Sequence, residues 1–204
     1  TKAVALANQG TAITTELAKL ALMGEDSRTR FKGRPGPSKR VAWTDALPLD
    51  EVKAVGRALG ASVNDVLLSC VAGAFGRYLR EQGEDPTGQD IRALIPVNMR
   101  PLHEAWQLGN RFGLVPLLVP VGIEHPLERL REVHERMEEL KKGYQPLLSY
   151  ALLGVSGLLN ESGQRALSNL FLDKTTAVMT NVPGPREPIR FCGATVRQSI
   201  FWVP

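Results

Sequence analysis

Histidine and cysteine are scarce in this chain of 204 residues, which has three of the first and two of the second. No two histidines are adjacent, no cysteines are paired at zinc-ligand spacing, and neither a Gly-rich phosphate motif nor a Gly-x-Ser-x-Gly elbow occurs. These gaps argue against zinc sites, phosphate-loop chemistry and the nucleophile of the α/β-hydrolases. Cys70 and Cys192 both lie in apolar stretches, which predicts two reduced core thiols, no disulfide framework and a cytosolic setting. An excess of one charge is lacking too: 25 Lys and Arg against 21 Asp and Glu leave a net +4. That is compatible with anionic lipid surfaces or phosphate-bearing ligands without requiring them. Aromatic residues are few, and the one basic stretch, "GEDSRTRFKGRPGPSKR", holds only Phe31 among them, which argues against nucleic-acid binding by stacking. The opening "TKAVALANQG" has a lone Lys and no long apolar region, so no secretory leader is expected.

Long hydrophobic runs are also missing. The best is residues 143–160, "GYQPLLSYALLGVSGLLN", eighteen residues without a charge. A spanning helix needs about 20 predominantly apolar residues, and this one is interrupted by Gln, Pro, Ser and Gly. A core helix is the first reading, and a lipid-facing or tunnel-lining helix the second.

What remains alternates between helix and strand patterns. Residues 11–23 place Ile13, Leu17, Leu20 and Met23 on one helical face. The Gly- and Pro-rich basic stretch after it reads as an exposed connector. "RVAWTDAL" predicts a strand, and "PLDEVKAVGRALG" a short helix stopped at Gly60. "SVNDVLLSCVAGAFGRYLREQ" is apolar nearly all round over its first two-thirds, as befits a helix buried between layers. "IRALIPVNMRP" and "GNRFGLVPLLVP" read as strands, with Pro116 placing the second at an edge or bulge. "HPLERLREVHERMEELKK" is an amphipathic surface helix, and a further helix runs through "ESGQRALSNLF". The strand "KTTAVMTNV" then meets a Pro-Gly-Pro corner, before strand-like "IRFCGATV" and "RQSIFWVP". This order predicts an α/β domain with a mixed β-sheet flanked by helices.

Candidate chemistry is thin. His103 follows Pro101 in a loop, His125 precedes Pro126, and His134 has Glu138 one turn on. All three predict structural or solvent-facing roles, since a general base needs both geometry and a tuned pKa. Two constellations stand out. Ser62 and Asp65 have the spacing of a capping box, which accounts for Asp65 structurally. Asn64 has no such account, and its place at an apolar helix start predicts a buried amide holding another segment. In "MTNVPGPREP", Pro183 and Pro185 fix their own φ and push Val182 and Gly184 towards extended geometry, leaving Asn181 at the strand end to bond a loop or ligand.

Taken together, "ASVNDVLLSCVAGAFGRYL", "LIPVNMRP", "LGNRFGLVPLLVPV", "TNVPGPREPIRFCGATV" and "FWVP" resemble the C-terminal half of the bacterial wax ester synthase/acyl-CoA:diacylglycerol acyltransferase family. The resemblance implies one half of a two-domain CoA-dependent acyltransferase fold, chloramphenicol acetyltransferase-like, with the active site in a tunnel between halves. It divides the chain into a helix and basic inter-domain connector over 1–40 and a C-terminal acyltransferase domain over 41–204, cut short at its end. It implies an enzyme making wax esters or triacylglycerol from acyl-CoA, a co-substrate rather than a cofactor, with no metal. The catalytic His-His-x-x-x-Asp-Gly motif is absent here, so the resemblance places it on an N-terminal partner half and leaves no catalytic residue in this chain. Asn64 and Asp65 match the family's Asn-Asp pair that supports the site. Asn181, Pro183, Gly184 and Pro185 match the corner beside the tunnel. The same resemblance implies fatty alcohol or diacylglycerol as acceptor, and a cytoplasmic protein peripherally bound to membrane or lipid droplets, with an anionic surface as a partner. A non-catalytic lipid-binding or lipid-droplet surface module is the alternative.

Overall fold

Residues 91–98 and 112–119 alternate apolar side chains with a period of two, and that alternation builds the centre of the fold. In the computed structural model they form β1 (Ile91–Asn98) and β2 (Phe112–Val119), paired antiparallel from Ile91 opposite Val119 to Asn98 opposite Phe112. The structure describes residues 22–33, 36–104, 111–182 and 187–196, together with residues 15, 18, 107, 109, 184, 198 and 200. A third strand, β3 (Ala177–Val178), runs parallel to β1 on its other side, giving the order β2-β1-β3. The sheet is therefore mixed. Pro116 lies in an edge strand, where its missing N–H costs no ladder bond.

Within the continuously described stretches five helices follow the apolar patterns: α1 (Leu49–Leu59), α2 (Val63–Glu81), α3 (Pro126–Lys142), α4 (Gln145–Ser156) and α5 (Glu161–Asp173). Gly60 ends α1 at φ 67°, and α2 leaves at 98° to it. Side chains of one sheet face, Ile91, Ala93, Ile95, Val115, Leu117 and Val119, form a core with Leu68, Ala72 and Leu79 of α2 and Val133, Met137 and Leu140 of α3. Burying that face is the main term holding the layers together, at about 25 cal/mol per Å² of apolar surface. Where β2 passes the start of α4, a Cβ on Gly113 would lie 2.1 Å from the Pro146 carbonyl oxygen. Gly113→Ala is therefore expected to cost at least about 2 kcal/mol, read as a lower urea midpoint, because main chain must move.

The basic connector is exposed over residues 36–40, as expected, but its first half corrects the reading of a free linker. Asp26, 5% exposed, accepts the Arg92 N–H at 2.9 Å and the Ser27 N–H at 2.8 Å, and takes the Thr176 hydroxyl as well. Arg30 pairs with Glu84 at 3.1 Å, Lys32 donates to the Thr175 carbonyl at 2.7 Å, and the Phe31 ring lies 4.7 Å from that of Phe75. Local composition marks this segment as loop, but its polar groups find partners far along the chain. Asp26→Ala is expected to cost about 2–3 kcal/mol and to expose the connector, so that trypsin cuts at Arg28, Arg30 and Lys32 before the rest of the domain.

Other expectations fail for local reasons. Residues 41–48 form no strand, and Val41, Trp43 and Leu47 are exposed; β propensity without a partner strand does not make one. "IRFCGATV" folds as a hairpin of β4 (Arg190–Phe191) and β5 (Ala194–Thr195), turning through Cys192 at φ 49° and Gly193 at φ 81°. Cys192 is thus at an exposed turn and Cys70 on the solvent side of α2, so neither is a core thiol. Of "KTTAVMTNV" only Ala177–Val178 is strand. The helix expected over 11–23 and the strand in "RQSIFWVP" fall almost wholly outside the described residues.

Candidate functional site

The start of α2 is fixed by the capping box read from the sequence: the Ser62 hydroxyl accepts the Asp65 N–H at 3.2 Å, and Asp65 Oδ2 accepts the Ser62 N–H at 2.9 Å. The box is only part of what Asp65 does. It is fully buried, and the same Oδ2 lies 2.8 Å from His134 Nδ1 on α3. An ionised carboxylate only accepts, so Nδ1 carries the proton. Asp65 Oδ1 has no partner among the described residues. Of the structural and solvent-facing roles expected for His134, this is the structural one. Glu138, its neighbour one turn on, pairs instead with Lys141 at 2.9 Å. The hydrogen bond from Lys141, and then its charge, hold the Glu138 carboxyl below the usual carboxylate range. His134, its side chain 37% exposed, borders a cleft of about 270 Å³ with Ala58, Leu59, Leu127 and Leu130. That cleft has no serine or cysteine in its lining, so the Asp65–His134 pair reads as a tie between α2 and α3.

Asn64, one residue before, lies on a different side of the helix. With Leu67, Leu68 and Val71 it faces Val178, Met179, Thr180 and Asn181 across a cleft of about 480 Å³. The structure thus brings Asn64 and Asn181 to one place and turns Asp65 into the interior. Asn64 is half-buried and makes no hydrogen bond among the described residues, so it does not hold another segment as an amide clasp. Gly184 has open space where a Cβ would project, and Pro183 and Pro185 lie outside the described residues.

Asn181 also borders a second, larger groove of about 620 Å³. Pro96 and Asn98 of β1, Phe112 and Leu114 of β2, and Val178 and Thr180 beyond them line it. By strand alternation these residues lie on the sheet face opposite the α2–α3 core. Arg100, Gly109 and Arg111 close one end. Sequence reasoning missed this groove, although "LIPVNMRP" and "RFGLVP" carry it: both strands have apolar residues on their second face. The charge-free 143–160 segment is not a core helix either. Only Pro146 and Ser149 of α4 are buried, while Leu147, Tyr150, Leu153 and Val155 face outward. Among the described residues no three His, Cys, Asp or Glu stand together as a metal site, and no single helix is long and apolar enough to cross a membrane.

Residues 108–204 match the WS/DGAT C-terminal domain. This chain belongs to the WS/DGAT family. The chain is 32% identical over 162 residues to a probable diacylglycerol O-acyltransferase of Mycobacterium tuberculosis, which covers 74% of this chain and 33% of that protein. A putative diacylglycerol O-acyltransferase of the same organism is 34% identical over 195 residues, 89% of this chain and 42% of its own length. Among solved structures, the wax ester synthase/diacylglycerol acyltransferase of Marinobacter aquaeolei VT8 matches with a TM-score of 0.54 and 25% identity, over 73% of this chain and 33% of that one. The chain spans between a third and about two-fifths of the length of these relatives. As a WS/DGAT chain it has the mixed sheet flanked by helices expected of that acyltransferase fold.

Proposed function

We propose that this chain is the C-terminal wall of an acyl-CoA-dependent O-acyltransferase that makes wax esters or triacylglycerol. The observation that carries the reading is the apolar groove on the open sheet face, lined by Pro96, Phe112, Leu114 and Val178 and reaching Asn181. A groove of this size and lining suits part of a long acyl or alcohol chain. In the reaction the acceptor hydroxyl attacks the thioester carbonyl, a base takes the hydroxyl proton, and coenzyme A leaves as the thiol. The base belongs to the His-His-x-x-x-Asp-Gly motif on an N-terminal partner half, and acyl-CoA is a co-substrate, with no cofactor. His134 is not that base, because it borders a separate cleft on α3 and stands apart from the groove residues. Asn181, Pro183, Gly184 and Pro185 shape the tunnel corner, Asn64 flanks it, and Asp65 fixes the helix that carries Asn64.

A companion polypeptide bearing the histidine motif, mixed with this chain and radiolabelled acyl-CoA, tests the reading. Labelled ester is expected only when both are present with a long-chain alcohol or diacylglycerol. Absence of ester with every acceptor overturns it.

The outward leucines of α4 favour a second reading, a lipid-binding or lipid-droplet surface module. They also support peripheral attachment to a membrane or droplet surface. The chain alone is expected to float with anionic liposomes, and replacing Leu147 and Leu153 by Ser to reduce the floating fraction several-fold. Flotation without turnover beside the companion would leave the second reading standing.

A further inference from the structure

The groove on the open sheet face is apolar along Pro96, Phe112, Leu114 and Val178, but it ends in two guanidinium groups. They differ in kind. Arg111 Nη1 lies 2.8 Å from Glu104, so its charge is answered. Arg100 meets no carboxylate among the described residues. Its side chain donates to the main-chain carbonyls of Gln107 and Gly109, and its own N–H donates to Asn98 Oδ1 at 2.9 Å. Carbonyls orient a guanidinium without neutralising it. Gly109 sits at φ 116°, a conformation that side-chain-bearing residues rarely adopt, and its carbonyl takes one of these bonds. Gln107 and Gly109 thus orient Arg100, and a guanidinium offers five N–H donors, more than these two carbonyls use. Among the described residues Arg92 and Arg129 are likewise held by main-chain carbonyls alone, but neither borders the groove, whereas Arg100 does.

Resting on the reading of this groove as a lipid site, we infer that Arg100 forms an anion-binding subsite at its end, and that its ligand is an amphipathic anion. Such a ligand has one long apolar chain, which lies along the sheet face, and one carboxylate or phosphate head, which meets the guanidinium. The fork matches either head in a two-bond contact, and the apolar wall beside it strengthens the charge interaction. The subsite therefore separates lipids by head charge: a free fatty acid or a lysophosphatidate is held at both ends, a neutral ester of the same chain at one.

Calorimetric titration of this chain with oleate, oleoyl lysophosphatidate, methyl oleate and inorganic phosphate, below micelle-forming concentrations, tests the inference. Oleate is expected to bind about tenfold or more tightly than methyl oleate. Arg100→Gln removes that preference while methyl oleate binding is kept. Arg100→Lys keeps part of it, since the charge remains and the fork is lost. Leu114→Ser weakens oleate and methyl oleate alike, which keeps the test open should the Arg100→Gln chain fold poorly. Tight lysophosphatidate binding assigns a phosphate head to the subsite, and oleate alone a carboxylate; either supports it. Equal binding of oleate and methyl oleate, or a preference that survives in Arg100→Gln, overturns the Arg100 subsite and leaves the lipid groove standing. Inorganic phosphate binding as tightly as oleate overturns the amphipathic ligand. Failure of both oleate and methyl oleate to bind overturns the groove reading and the subsite together.

Discussion

Asp65→Ala is expected to destabilise the domain by about 2–4 kcal/mol, from a lost helix cap and a half-exposed imidazole N–H left without its acceptor. The carboxylate is fully buried, and its one bonded oxygen serves both the Ser62 N–H and His134 Nδ1. Alanine leaves the first turn of α2 without its cap, which alone costs about 0.5–2 kcal/mol, and strands the imidazole N–H beside a void. For a chain of this size the melting temperature falls by about 2–4 °C per kcal/mol, so a drop on the order of 10 °C is expected. Asp65→Asn keeps the shape and one accepting oxygen, and costs about 1–2 kcal/mol by leaving its amide without an acceptor. His134→Ala falls between the two, and a double-mutant cycle with Asp65→Asn returns a coupling above about 0.5 kcal/mol. A urea midpoint for Asp65→Ala close to that of the unaltered chain would remove the tie between α2 and α3.

Asn181→Ala is expected to do the opposite: stability stays put and acyl transfer falls. Its side chain is exposed and has no hydrogen bond among the described residues, so alanine costs the fold under about 0.5 kcal/mol. Yet it borders both the cleft beside Asn64 and the groove on the open sheet face. A polar group at that junction, contributing one hydrogen bond to bound substrate or to the tunnel wall, is worth about 1–3 kcal/mol, a fall of roughly 5- to 150-fold in kcat/KM. The assay pairs this chain with its motif-bearing companion and follows melting temperature beside turnover. Activity that declines only in step with stability would make Asn181 a folding residue.

Local signals were the legible part. The Ser62–Asp65 box lies within one helical turn, the stop at Gly60 within another, and Pro116 declares an edge strand through its own missing N–H. The mixed sheet and its flanking helices follow from such signals. The rest depends on partners that no short window contains. His134 reaches Asp65 across 69 residues, and on its own helix it has Glu138 as an obvious, but wrong, neighbour. The connector looks like solvated loop because its composition is that of loop, while the groups that hold it, Arg92 and Thr176, are 66 and 150 residues away. In the candidate site, Asn64 and Asn181 stand out by their local settings and again by resemblance, and only their meeting needs the structure. The groove itself went unread, because the apolar second faces of β1 and β2 are indistinguishable in sequence from faces covered by a helix.

The Asp26 clasp also sets an order of events during synthesis. Its acceptor is made 150 residues before one of its donors, Thr176. At ribosomal speeds of about 5–20 residues per second, roughly 8–30 s separate the two. Until then β1 has no parallel neighbour and the connector has only part of its anchorage. Closing the clasp is thus a late, long-range step, and a ribosome-bound chain halted before residue 176 is left with its basic segment loose.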